Sequence, residues 1–266
     1  MSRASAFSLF LSFVFVRGLV FAQTQPNSDP LAVSLAQQSI TALTGGAVVS
    51  DVTLNANVVS VVGPDSTTGT ATLQAKGIGE SRIDLSLPSG TSTDIRNDSA
   101  GYPQGTTAIN GGTQQAWPLH NCWINASWFF PALSVLSSTS DPTVIFSYVG
   151  LETRNGTPVQ HIQSYRYVVD PNRAATTVLT QRLSTTDFYL DSSSLLPVSV
   201  TFNSHPYNDD GTDMATEIDF SSYQPVNGVQ VPFRIQKFVF GSLALDITVT
   251  GATVNSGISD SVFAIQ

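Results

Sequence analysis

Tyr223-Gln-Pro-Val-Asn-Gly-Val-Gln-Val-Pro232 lies between two runs in which apolar and polar residues alternate. Before it, Met214, Thr216, Ile218 and Phe220 alternate with Ala215, Glu217, Asp219 and Ser221; after it, Val229, Val231, Phe233 and Ile235 alternate with Gln230, Pro232, Arg234 and Gln236. A period of two puts one set on a dry face and the other on a wet face, and the break at Pro-Val-Asn-Gly is the turn of an antiparallel hairpin.

The same pattern runs through most of the chain. Thr186–Asp191, a turn at Ser192–Ser194 and Leu196–Phe202 make a second pair, with Val198, Val200 and Phe202 expected on one face. Leu243, Leu245, Ile247 and Val249 continue the meander until Gly251, where the phase slips and a bulge is expected. Earlier, Val52 to Val58, Ala71 to Ala75 and Ile83 to Leu87 repeat the alternation around turns at Gly63-Pro-Asp65 and at Gly77 and Gly79, and Val144–Leu151 and Gln160–Val169 resume it. Residues 89–112, rich in Gly, Ser, Thr and Asn, read as a long loop with a weak strand at Thr93–Arg96.

Two segments leave the β pattern. Ser28-Asp-Pro30 reads as a cap followed by proline in a first helical turn, Leu35, Ala36, Ile40 and Leu43 keep helical spacing, and Gly45-Gly46 ends the helix. Residues 117–138 hold all three tryptophans (Trp117, Trp123 and Trp128) with Phe129, Phe130, Leu133, Val135 and Leu136, and read as one or two short helices around Pro131.

The run Phe-Tyr-Leu-Asp191, Leu-Pro-Val198, Ile-Asp-Phe-Ser-Ser-Tyr-Gln-Pro-Val-Asn-Gly-Val-Gln-Val-Pro-Phe233 and Ser-Val-Phe-Ala-Ile265 resembles the LolA-like group of periplasmic outer-membrane lipoprotein-sorting proteins. The likeness covers the last third of the chain and the rest in outline. It implies a mainly β (α+β) fold: a single curved antiparallel sheet forming a half-open, incomplete barrel, covered by the N-terminal helix and a mid-chain helical lid. It also implies a non-catalytic periplasmic carrier that holds lipid or lipoprotein acyl chains in an apolar cavity. The residues expected to line it are Leu85, Leu87, Phe146, Val200, Phe202, Ile218, Phe220 and Phe233, closed by Trp128, Phe129 and Phe130. An arginine near the mouth is associated with such carriers, and Arg82 and Arg96 lie in the corresponding early strands. The alternative use of the same half-barrel is an envelope protein-interaction or sensor domain whose interior is filled.

Composition narrows the partners. Only 11% of the 266 residues are charged and the formal net charge is −8, which argues against nucleic acid or an anionic membrane surface. Arg3, the apolar run Ala6–Val16 and the small residues of Val20-Phe-Ala22 predict a signal peptide over residues 1–22 with cleavage before Gln23, leaving 23–266 as a single domain. No cysteine follows that point closely enough to accept a lipid, so the exported chain is expected to be periplasmic or secreted without an anchor. Cys122, the single cysteine, reads as a small buried hydrophobe.

No catalytic constellation is expected. The sequence has no Gly-x-Ser-x-Gly elbow, no His-Glu-x-x-His, no phosphate-cradling loop before a lysine and no cysteine pair for zinc, and it calls for no cofactor or metal. His120, His161 and His205 are expected to stand apart, and Glu80, Glu152 and Glu217 each read as alone in a strand. Asp209-Asp-Gly-Thr-Asp213 reads as a turn rather than a calcium loop, because the distant bidentate glutamate is missing.

Overall fold

The computed structural model describes residues 25–169 and 174–266, so the signal-peptide reading of residues 1–22 lies outside the described residues. Strands β1 (Asp51–Val62), β2 (Asp65–Lys76), β3 (Glu80–Leu87), β4 (Gly90–Asn97), β5 (Gln104–Ile109), β6 (Gln115–Ala116), β7 (Val144–Arg154), β8 (Thr157–Arg166), β9 (Thr186–Asp191), β10 (Pro197–Ser204), β11 (Met214–Val226), β12 (Val229–Val239) and β13 (Ser242–Val254) join into one antiparallel sheet. Its order is β6-β5-β4-β3-β2-β1-β13-β12-β11-β10-β9-β8-β7, so the chain meanders outward in both directions from the β1–β13 pair and the sheet does not close. Strands adjacent in the sheet are adjacent in sequence except at that central seam, and β6 and β7, consecutive in the chain, form the two edges.

The β11–β12 hairpin forms as the sequence dictates. Val226 pairs with Val229, and the two residues between them, Asn227 and Gly228, take φ of 50° and 85°, the left-handed pair that a tight two-residue turn requires. Thr216, Ile218, Phe220, Val229, Val231 and Ile235 are buried. The bulge expected at Gly251 lies one residue earlier, at Thr250: Asn55 pairs with Gly251 and Ala56 with Val249. A second register shift between Pro197 and Ser199 leaves Val198 only half-buried while Val200 and Phe202 are buried, which corrects the placing of all three on one face.

Helix α1 (Pro30–Thr44) is capped by Asp29, whose carboxylate accepts from the Leu31 and Ala32 amides at 2.7 and 3.4 Å, and it ends on Gly45 at φ 61°. Its Ala32, Leu35, Ala36 and Leu43 side chains are buried, and it lies across β7, β8 and β12. The residues just ahead of it cover the β7 edge: the Asp29 amide donates to the Phe146 carbonyl, and the Phe146 amide to Ser28 Oγ.

Three expectations are corrected. The strand expected at Thr93–Arg96 is present as part of β4, but the rest of residues 89–112 is not one long loop: β4 runs Gly90–Asn97 and pairs with β5 from Ser92 with Ile109 to Asn97 with Gln104. Residues 117–138 hold only single 3-10 turns, Leu119–Cys122, Pro131–Leu133 and Val135–Ser137. Pro118 and Pro131 remove helix donors there, and Ser134 spends its hydroxyl on Pro131 O and the Leu136 amide. A second helix, α2 (Ala174–Ser184), stands between β8 and β9, where the sequence shows no helical spacing. Among the described residues, no helix is long and apolar enough to cross a membrane.

Candidate functional site

The inward positions of the sheet meet two different fates. Phe129, Phe130, Phe146, Val200, Ile218 and Phe220 are buried in one apolar cluster with α1, Ile162, Phe188 and Leu190, and there they pack against one another. Leu87 and Phe233 are half-buried against the same cluster. The other three of the eleven expected lining residues, Leu85, Trp128 and Phe202, come together on the wall of a cavity of about 430 Å³.

That cavity lies between β3, β4 and β5 on one side and β10, β12 and β13 on the other, under residues 115–128. β4 and β10 are seven positions apart in the sheet, a separation of about 34 Å if the sheet were flat. Their sharing one cavity therefore requires the sheet to be strongly curved. Ile83, Leu85, Ile124, Phe202 and Leu245 make the apolar wall, and Trp117 and Trp128 close it from above. Trp128 meets Phe129 edge to face, centroids 5.8 Å apart, so the cover is joined to the packed cluster through an aromatic contact.

Three ionisable side chains face this wall, and two of them are absent from the sequence-based expectation. Arg96 follows the inward phase of β4, is buried, and has its guanidinium 5.3 Å from the Trp117 ring. Asp94, two residues earlier on the same face, takes a hydrogen bond from Thr107; burial raises its pKa, opposed by that bond and by the positive charges of Lys237 and Arg96. Lys237 completes the inward series Val229, Val231, Phe233, Ile235 on β12. Its ammonium stands 5.1 Å from the Trp128 ring, and burial lowers its pKa against the pull of Asp94. Among the described residues Lys237 makes no hydrogen bond or ion pair. The signal for it was a lysine in the dry phase of the hairpin that decides the fold. Arg82, by contrast, points to the other face of β3, where it pairs with Asp84 at 2.7 Å.

Arg96 also holds the cover. Its Nη2 donates to the carbonyls of Cys122 and Ile124, while its buried Nε is without a partner. The cover is tied on its other side to the β10–β11 loop: Asn121 and His205 exchange side-chain to backbone hydrogen bonds of 2.8 and 2.9 Å, and His120 Nε2 lies 3.0 Å from the Pro206 carbonyl. A second cavity of about 350 Å³ adjoins the first, sharing Arg96, Ile124 and Ala126 as a partition and lined by Trp123, Tyr102 and Tyr165. Each tryptophan of the chain thus lines a cavity. Cys122 is buried, and burial raises its thiol pKa.

The titratable groups outside the cavities correct two further expectations. His120 and His205 do not stand apart: their rings meet edge to face at 5.8 Å, and His205 Nε2 is 3.1 Å from Asp213. Glu152 is not alone either. His161 lies between Glu152 (2.6 Å from Nδ1) and Asp187 (2.8 Å from Nε2) on the outer face of β7–β9, and Arg154 stacks over Tyr189 at 3.7 Å while pairing with Glu217. Asp209 closes the expected turn by accepting from the Gly211 amide and the Thr212 hydroxyl, and Asp213 pairs with Arg182.

No family model matches the sequence, and no curated protein sequence matches it. The fold, however, is shared with solved structures. The chain is similar to a DUF1329 family protein from Desulfovibrio piger (TM-score 0.59, 11% identity, 90% of this chain and 98% of that one). It is also similar to a domain from Vibrio parahaemolyticus named for outer membrane lipoprotein sorting (TM-score 0.57, 11% identity, 88% and 96%). A LolA superfamily protein from Nitrosomonas europaea matches at TM-score 0.52 and 10% identity, over 88% of this chain and 97% of that one. The likeness to the LolA-like group is therefore one of fold, and it extends well beyond the last third of the chain.

Proposed function

We propose that this chain is a non-catalytic carrier that holds the acyl part of a lipid or lipoprotein in the cavity beneath residues 115–128. One observation carries the reading: the inner face of the sheet is filled with phenylalanine at one end and opens at the other into about 430 Å³ walled by Ile83, Leu85, Phe202, Leu245, Trp117 and Trp128. A space of that size suits one small molecule or chain, and each methylene placed against such a wall contributes about 0.8 kcal/mol. The naming of the Vibrio parahaemolyticus domain for lipoprotein sorting supports the same class of ligand. On this reading, residues 1–22 direct export, residues 23–266 act as a single domain in the periplasm, and residues 115–128 are the part that gives way to the ligand.

Native mass spectrometry of residues 23–266, purified from a bacterial periplasm before and after extraction with organic solvent, tests it. An added mass that identifies as a lipid or acylated peptide and disappears on extraction is the expected result. A bare polypeptide that stays bare after incubation with lipids overturns it. The envelope interaction domain, for which the phenylalanine-filled end of the interior speaks, then becomes the better account.

A further inference from the structure

We propose that the cavity selects a single-chain amphiphile ending in an anion, with Lys237 as the group that reads the carboxylate or phosphate head. This rests on the carrier reading above and narrows it to a ligand class. Lys237 is one of two lysines in the chain, and it occupies an inward position where every preceding residue of that strand phase is apolar. The side chain is half-buried, and an ammonium placed there gives up part of its hydration, a cost that structures normally offset with a carboxylate or hydrogen bonds. None of the described residues supplies an ion pair or hydrogen bond to it.

The other charges of the cavity do not remove the need for an anion. Asp94 is the one carboxylate on the wall; it is engaged by Thr107, and burial pushes it toward its neutral form. Arg96 adds a second cation. Two basic side chains thus face one carboxylate in this cavity, inside a chain whose formal net charge is −8. Trp128 fixes where a head group would sit: its ring face holds the ammonium at 5.1 Å, leaving the remaining N–H directions for an oxyanion. From that point the hydrocarbon would run along Leu245, Leu85 and Ile83. The cavity is small for a ligand pocket, which favours one chain over two.

Affinities of dodecanoate, dodecyl phosphate, 1-dodecanol and dodecyltrimethylammonium for residues 23–266, followed by tryptophan fluorescence and calorimetry, test the proposal. Charge-assisted hydrogen bonds of the usual strength predict that an anionic compound binds about tenfold or more tighter than the alcohol, and the cation most weakly. Whichever of dodecanoate and dodecyl phosphate binds better identifies the natural head. Lys237→Met should bring the anions to within about twofold of the alcohol while leaving alcohol binding in place, which also shows that the variant is folded; Lys237→Arg should keep the preference. Equal binding of acid and alcohol by the wild-type chain, or a preference that survives in Lys237→Met, overturns the head-group role and leaves the carrier reading standing. Failure of all four compounds to bind overturns both.

Discussion

At the β7–β10 end of the sheet the inward residues include Phe146, Ile162, Phe188 and Val200, all buried in one cluster with α1; at the β3–β5 end Ile83 and Leu85 are joined by Ser81, Asp94, Arg96 and Thr107, facing a cavity. The outer faces carry paired charges at both ends, His161 with Glu152 and Asp187 and Arg154 with Glu217 over β7–β11, and Arg82 with Asp84 over β3; the difference lies inside, where Asp94, Arg96 and Lys237 face the cavity and Lys237 is unpaired. One alternating sheet therefore does two jobs: one end supplies the stability that lets the other end leave space and charge unsatisfied. Binding sites are commonly drawn from the less stable part of a molecule.

The largest effect that sharpens this comparison should come from truncating a side chain on each end. Phe188→Ala, at a fully buried position, is expected to lose about 3–5 kcal/mol in urea unfolding, against roughly 1–2 kcal/mol for Leu245→Ala on the cavity wall. Equal losses would break the comparison, because the cavity end would then be packed as tightly as the other. Next in size is Arg96→Leu, which leaves the Cys122 and Ile124 carbonyls without their donor. A loss of roughly 1–3 kcal/mol is expected, with faster amide hydrogen exchange confined to residues 119–126. Exchange that accelerates equally in β7–β9 would show the two ends to be one cooperative unit.

The smallest effect concerns the paired outer charges and depends on pH. Burial lowers the His161 pKa, but the hydrogen bonds and charges of Asp187 and Glu152 outweigh it and hold the value above that of a free imidazole. A raised value means that the imidazolium stabilises the fold fully below the unfolded pKa and ceases to do so as pH rises through the folded one. His161→Gln should thus cost on the order of 1 kcal/mol at about pH 6 and less at about pH 9. A cost that grows with pH would show that the neutral ring is the structural form.

The difference between the ends also explains what could be read from the sequence. Hairpin β11–β12, the helix start at Ser28-Asp-Pro30, the Gly45 stop and, to within one residue, the bulge expected at Gly251 follow from periodicity and turn chemistry, which locate them. Of β4 and β5 the sequence shows only a weak strand at Thr93–Arg96, because their inward residues, Ser92, Asp94, Arg96 and Thr107, line a polar part of the cavity and carry no apolar period. Helix α2 was missed for a related reason: its buried face is Thr177, Thr180, Leu183 and Ser184, three hydroxyls to one apolar side chain. Eleven lining residues were expected from hydrophobicity alone, and hydrophobicity locates a core better than a cavity. Leu85, Trp128 and Phe202 reached the cavity wall, while Asp94 and Lys237 required noticing which charges break the alternation.

The two lysines also differ in reactivity. The Lys76 amine is held protonated by Asp260, while burial makes the Lys237 amine the weaker base of the two. An anion seated beside Lys237 would strengthen that base again, so filling of the cavity should be readable as a loss of Lys237 reactivity toward an acylating reagent relative to Lys76.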